Sequence, residues 1–356
     1  MLSNISKHII QELQKNKNID KNIINPPYTD EITKLIDKAY KESGNIKMIT
    51  HVSTISKLPH INCPSNIKED FKELKYHYTF ICYLPTIVLY INFYTKQHTS
   101  LNTYAKRIAT LIIFFLQFPL SKCIGSEITI HLLFTPTMKY KPFHETIGPK
   151  HLNSGYTYRC TKNSEICIYR HEEWFKVLIH ECFHYFGLDE TLDNYELNMK
   201  IKKMFNHINS DINIPETYCE TWARILNVYF TCYYIDKKKY KHYIKHLMHY
   251  EIIFARFQMD KLLQTMNMKY MDIFSKNNYR EETNAFAYVI LTYLLLYKYD
   301  VFIEWCNKYN PNLLRIGTHS ITELFKPHPI PDMNLNKPKY SSYMTHNSRM
   351  SSIELE

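Results

Sequence analysis

No CxxC pair occurs among the nine cysteines, which stand at positions 63, 82, 123, 160, 167, 182, 219, 232 and 306. That excludes a zinc ribbon, and an odd number of scattered cysteines fits a reduced compartment better than a disulfide framework. The first residues, MLSNISKHIIQELQKNKNID, lack the apolar core and small-residue cleavage site of a secretory signal and read as a short amphipathic helix. A long hydrophobic run is missing too: the most apolar stretch, residues 80–94, is short and interrupted by Pro85, so no membrane span is expected. These absences together predict a cytoplasmic protein. Glycine is scarce, 6 residues against 30 tyrosines, which with abundant Ile, Asn and Lys marks an A+T-rich coding sequence and carries no chemistry. No internal repeat is visible.

What is present suffices for a large folded core: 356 residues, 45% of them hydrophobic. Lys and Arg exceed Asp and Glu by 44 to 34, a net charge of +10 that would favour nucleic acid, an anionic membrane or an acidic protein as partner. The lysines are spread along the chain rather than gathered into one stripe, which weakens the nucleic-acid reading.

Residues 1–75 alternate short helical patterns with Pro-containing joins and predict a helical N-terminal region. Residues 104–118, YAKRIATLIIFFLQF, are apolar all round and precede Pro119, as a buried helix would. EITIHLLFT (127–135) reads as a strand, and residues 153–159 and 165–170 as two short strands around a turn. Residues 76–200 thus predict a sheet with a helix after it. Residues 201–325 repeat apolar positions every three or four residues and predict a helical subdomain. The tail, 326–356, carries four prolines and few large apolar residues and predicts an extended or disordered segment. The fold class expected is α+β.

The chemistry concentrates in WFKVLIHECFHYFGLDE, residues 174–190. Residues four apart share a helical face, so His180 and His184 can reach one metal ion, while Glu181 can lean over an open coordination position. Zinc in a catalytic site takes three protein ligands and a water, whose proton a carboxylate such as Glu181 can accept during attack on a carbonyl. With 18 histidines and 34 acidic residues a bare HExxH match means little, so context decides. Here Glu172 and Glu173 offer an acidic first turn, apolar residues surround the histidines, and Gly187 stands where a left-handed cap would end the helix. Cys182 falls on another face and reads as core.

The order of buried helix, strand, strand pair, HExxH helix and later helix resembles that of the zincin metallopeptidases. Within that group, HECFHYFGLDE and the following ETWARI look most similar to HExxH proteins of large nucleocytoplasmic DNA viruses, over residues 153–226. The resemblance implies a small mixed sheet over an active-site helix, with an extended peptide bound along an edge strand. It also implies a zinc cofactor, a protein or peptide substrate, and a host-cytoplasmic or virion setting.

Two subclasses of zincin suggest different third ligands. In one, a glutamate on a later helix binds the metal, and Glu220 in CETWARIL fits, with small Ala223 nearby; Glu216 lies one turn earlier, where an acidic cap is the plain reading. In the other, HExxHxxGxxH is the pattern, and here Gly187 matches while Glu190 takes the place of the last histidine, beside Asp189. Glu220 is favoured, because a glutamate within an apolar helix needs a partner. Glu281 and Glu282 open another apolar helix and read first as dipole-stabilising residues. Asp189 and Asp193 are also candidate acceptors for a histidine N–H. For an oxyanion donor, His242, His246, His249 and Arg224 are available without one standing out.

A metallopeptidase is therefore expected, with two rivals: a scaffold that binds without catalysis, and a zinc protease acting at nucleic acid, which the +10 charge motivates.

Overall fold

A computed structural model describes residues 1–15, 26–192, 194–327, 329–330 and 339–356. In chain order its helices are α1 (Asn4–Gln14), α2 (Thr29–Ser43), α3 (Ser65–Asp70), α4 (Asn102–Phe115), α5 (Pro149–Leu152), α6 (Trp174–Tyr185), α7 (Tyr195–Met204), α8 (Ile214–Ile235), α9 (Tyr240–Gln264), α10 (Thr292–Tyr297), α11 (Tyr299–Tyr309) and α12 (Ser342–His346). The strands are β1 (Lys47–Thr54), β2 (Tyr76–Tyr83), β3 (Val88–Thr95), β4 (Glu127–Leu133), β5 (Gly155–Thr157) and β6 (Glu165–Ile168). A π-helical turn, Phe286–Leu291, leads into α10. The chain is mixed α+β.

Two units share it. A sheet unit holds Asp30–Met138 and Asn153–Glu190; a helical unit holds Met1–Thr29, Lys139–Leu152 and Thr191–Glu356.

In the sheet unit all six strands form one sheet in the order β1-β2-β3-β4-β6-β5. β1, β2 and β3 are antiparallel neighbours, β4 is parallel to both β3 and β6, and β5 closes the order antiparallel to β6. Parallel neighbours need a crossover, and α4 supplies the one between β3 and β4. Register builds the core: Leu89 faces Ile128, Ile91 faces Ile130 and then Ile166, and Phe93 faces Leu132 and then Ile168, all buried. Strand side chains alternate between faces, so these rows lie on one face. Phe115 of α4 meets Phe183 and Phe186 at the end of α6, with ring centroids 5.4 and 5.6 Å apart. Burying one such phenylalanine contributes roughly 1.5–3 kcal/mol. Gly155 lets β5 approach closely, because a Cβ there would lie 2.8 Å from the Cys167 carbonyl oxygen and 3.0 Å from Val177 of α6.

The helical unit buries the apolar faces of α8, α9, α10 and α11. α1 joins it through Ile9 and Leu13, which cluster with Phe254, Phe257, Tyr340 and Met344.

Several expectations need correction. Residues 1–75 are not one helical region: KMITHVST, β-branched and alternating, forms β1, and only α1 belongs to the helical unit. The boundary expected at residue 200 lies at Glu190, and residues 139–152 belong with the later helices. The tail is packed rather than disordered over residues 339–356. Met344, Arg349, Ser351, Ser352 and Ile353 are buried, and Leu2 bridges Leu355. Its few apolar residues are used fully, and a buried acceptor described below holds its polar backbone. Residues 331–338 and Asp193 lie outside the described residues. The apolar stretch around Pro85 is the β2–β3 hairpin, which turns at that proline.

Cysteine usage also departs from the reduced, unpaired pattern expected. Cys123 and Cys160 form a disulfide across 37 residues of chain, a pairing that spacing alone does not reveal. The other seven cysteines are free and buried. Among the described residues no single helix is long and apolar enough to cross a membrane. The bent pair Phe286–Tyr297 and Tyr299–Tyr309 passes by composition, meets at 89°, and is largely buried.

Candidate functional site

α6 is buried along its whole length, including Lys176, His180, Glu181 and His184. Its first turn lacks the acidic residues expected there: the helix begins at Trp174, and Glu173 is the N-cap, at φ 58° in the left-handed region. Such a conformation is costly for a residue with a side chain and is kept only where surrounding contacts impose it. The other end follows the sequence. Gly187 has φ +67°, the Leu188 N–H donates to the Phe183 carbonyl at 2.9 Å, and the Gly187 N–H to that of His184 at 3.1 Å. These two bonds make a Schellman cap and reverse the chain.

That reversal brings Asp189 back onto the helix. Its Oδ2 lies 2.7 Å from His184 Nδ1, and the residue is 0% exposed. An ionised carboxylate only accepts hydrogen bonds, so His184 carries its proton on Nδ1 and turns an Nε2 lone pair outward. Nε2 of His180 lies 3.2 Å from that atom, the two rings inclined at 69°. Two imidazole nitrogens held this way can share one proton or ligate one cation. Two imidazole nitrogens with a carboxylate behind one of them are donors of a kind that metal ions in general take.

Glu181 sits between the two histidines in sequence and is also buried. Its charge reaches β6: the Cys167 thiol is pushed up to about 12, first by burial and in smaller part by Glu165 and Glu181, and Tyr169 is raised by burial and by Glu181.

The remaining candidates fall as follows. Asp189 occupies the Nδ1 side of His184, as an acceptor rather than on the Nε2 side. Glu190 forms an ion pair with Lys122 in a partly exposed position. In the helical unit, Glu220 lies on α8 and is 1% exposed. Glu216 lies one turn earlier, where its N–H is capped by the Asn213 side chain at 3.3 Å. Arg224 is held by Glu251, Nε to Oε1 at 2.6 Å, which commits it to that buried pair. His242 and His246 meet edge-to-face along α9 with ring centroids 4.6 Å apart. Glu281 is no exposed helix-start residue: it accepts from Ser210, from Tyr279 Oη at 2.8 Å and from the Phe286 N–H at 2.6 Å, and burial pushes its carboxyl up to about 7. The Glu282 N–H donates to the Ile147 carbonyl at 2.8 Å.

Arg159 was not legible as a site residue. Its Nε lies 3.0 Å from Asp189 Oδ2, so the carboxylate that orients His184 also faces a guanidinium.

No family model and no solved structure matches the chain. One similar protein is an uncharacterised protein of Acanthamoeba polyphaga mimivirus, 34% identical over 95 residues, which is 27% of this chain. The match spans 23% of that protein's length, so the chain is similar to about a quarter of a viral protein.

Proposed function

We propose that the chain is a zinc-dependent metallopeptidase with a zincin-like fold. The observation that supports this most is the facing pair of Nε2 atoms on α6, with Asp189 fixing the proton of His184 on the far nitrogen. His180 and His184 would hold the metal. The third ligand is proposed to be Glu220, on the sequence grounds given above, with Glu216 as the alternative on the same helix. Zinc, when bound, makes a water acidic enough to lose its proton near neutral pH and polarises a carbonyl. Glu181 would serve as the general base towards the attacking water and then as the general acid towards the leaving amine. The last strand in the sheet order, β5, is antiparallel to β6 beside α6 and offers its outer edge to an extended peptide, which would add to the sheet through backbone hydrogen bonds. The substrate is then an unfolded or extended protein segment. The host cytoplasm or a virion as setting, suggested by the viral similarity, is part of the same proposal.

Elemental analysis of purified wild type, His184→Ala, Glu220→Ala and Glu216→Ala tests the site. One zinc per wild-type chain, lost in the His184 and Glu220 variants, is the expected result. Loss in the Glu216 variant instead moves the third ligand by one turn. Zinc in no form defeats the proposal and leaves a scaffold that binds without catalysis.

A further inference from the structure

The end of α6 is gripped from two sides, and both grips trace back to one covalent link. Leu120 donates its N–H to the Phe186 carbonyl at 3.3 Å, and Lys122, two residues on, pairs with Glu190. From the other side, the Cys160 N–H donates to the His184 carbonyl at 3.0 Å, and Arg159, its neighbour, pairs with Asp189 at 3.0 Å. The Cys123–Cys160 disulfide joins these two segments. It also lies directly on the cap: a Cβ added at Gly187 would be 2.6 Å from Cys123 Sγ and 3.3 Å from Cys160 Sγ. Cys123 is fully buried, Cys160 is half-buried, and Cys160 has φ 46°, a left-handed conformation that a tethered turn can impose.

We propose that Arg159 and the Cys123–Cys160 disulfide form a buttress that holds Asp189 on His184, so that the oxidation state of the disulfide sets the tautomer of His184 and, through it, the grip of α6 on a metal ion. The metal part rests on the zinc reading above; the tautomer part does not. The causal order is short. The disulfide fixes the turn at Cys160, the turn fixes Arg159, and Arg159 holds the buried Asp189 carboxylate in the one position where its Oδ2 meets His184 Nδ1. Opening the bond frees the Arg159 segment and leaves a buried carboxylate with one partner fewer, which draws in water or turns away from the ring. Arg159 is thus a positioning residue. The chemistry is thiol–disulfide exchange with a dithiol: two electrons and two protons pass to Cys123 and Cys160, and the dithiol closes to its own disulfide. Cys160 is the more exposed residue of the pair, so exchange starts there, and the seven other cysteines are buried as thiols.

The test uses the full chain freed of metal. Wild type is prepared oxidised, and reduced with the reductant removed under anaerobic conditions, beside Cys123→Ser/Cys160→Ser, Arg159→Ala and Arg159→Lys. Nitrogen NMR of the histidine rings reads the tautomer of His184, and competition with a chromophoric chelator reads zinc affinity. In oxidised wild type His184 should be one tautomer, protonated on Nδ1. Reduced wild type, the double serine variant and Arg159→Ala should show mixed tautomers and bind zinc roughly 10–100-fold more weakly, the range expected when a carboxylate behind a ligand is lost. Arg159→Lys should recover part of both. The circular dichroism of reduced wild type guards against a variant that merely fails to fold. An unchanged tautomer in folded, reduced wild type overturns the buttress. A tautomer that follows the disulfide while no form binds zinc supports the buttress and overturns the zinc reading instead.

Discussion

Asp189 stands five residues after His184 and lies 2.7 Å from its Nδ1, so the residue that sets the chemistry of the second histidine is brought there by the turn that ends the histidine's own helix. In the proposed mechanism Glu181, on the same helix, is the general base. Glu181→Gln keeps the side-chain shape and removes the base. We expect zinc to stay bound at one per chain, and hydrolysis of a denatured protein substrate to fall by a factor of 100 or more, in line with the roughly 10²–10⁴-fold contribution of a positioned base. Retained turnover in that variant would sink the mechanism.

Gly187 predicts a sharp stability loss. Alanine at φ +67° costs roughly 1–2 kcal/mol for the left-handed conformation, and its Cβ would meet Cys123 Sγ at 2.6 Å, which adds to it. Denaturant unfolding of Gly187→Ala should show a loss of about 2 kcal/mol or more. An unchanged midpoint would mean that the cap can refold around a side chain.

Glu281 predicts a pH dependence of opposite sign to that of a salt-bridged acid. Its carboxyl is pushed from 4.5 to about 7 by burial, against the opposing hydrogen bonds from Ser210, Tyr279 and the Phe286 N–H. Between those values the folded chain holds a proton that the unfolded chain has released. Stability should therefore fall as pH rises from about 4.5 to 7, by about 3 kcal/mol at most. Glu281→Gln keeps a neutral group in place and should flatten that slope. Denaturant midpoints for both proteins at pH 5 and 7.5 would show it, and parallel slopes would refute it.

Glu251 predicts a large loss from one atom set. It receives Arg224 Nε at 2.6 Å, the Ser352 N–H at 2.8 Å, Ser352 Oγ at 2.6 Å and Ser351 Oγ at 3.1 Å, all buried. Glu251→Ala strands a buried guanidinium and should cost about 3–5 kcal/mol. It should also raise the protease sensitivity of residues 339–356. A cost below about 1 kcal/mol would be the behaviour of a surface pair.

What could be read in advance was whatever repeats locally. The HExxH spacing, the Gly187 cap and the strands β4, β5 and β6 announce themselves within a dozen residues, because period and cap chemistry are local properties. β1, hidden in a polar N-terminal region, shows that a β-branched stretch without strong hydrophobicity is easily passed over. The pairing of Cys123 with Cys160, and of Arg159 with Asp189, joins residues that no spacing rule connects. The tail misled for a different reason: its polarity is real, but Glu251 and Asn227 satisfy that polarity inside the helical unit, as in the bond from Asn227 to the Ile353 carbonyl at 2.7 Å.

The division of the chain also sets a timetable. The sheet unit is complete once Glu190 has been made. The buried acceptor of the helical unit is not: Glu251 waits for Ser352, 101 residues further along. At ribosomal rates of about 5–20 residues per second, α8 and α9 exist for roughly 5–20 s with that carboxylate still facing Arg224 alone. A nascent chain at this stage carries a finished sheet and an open helical half, which is the interval in which a chaperone would have most to hold.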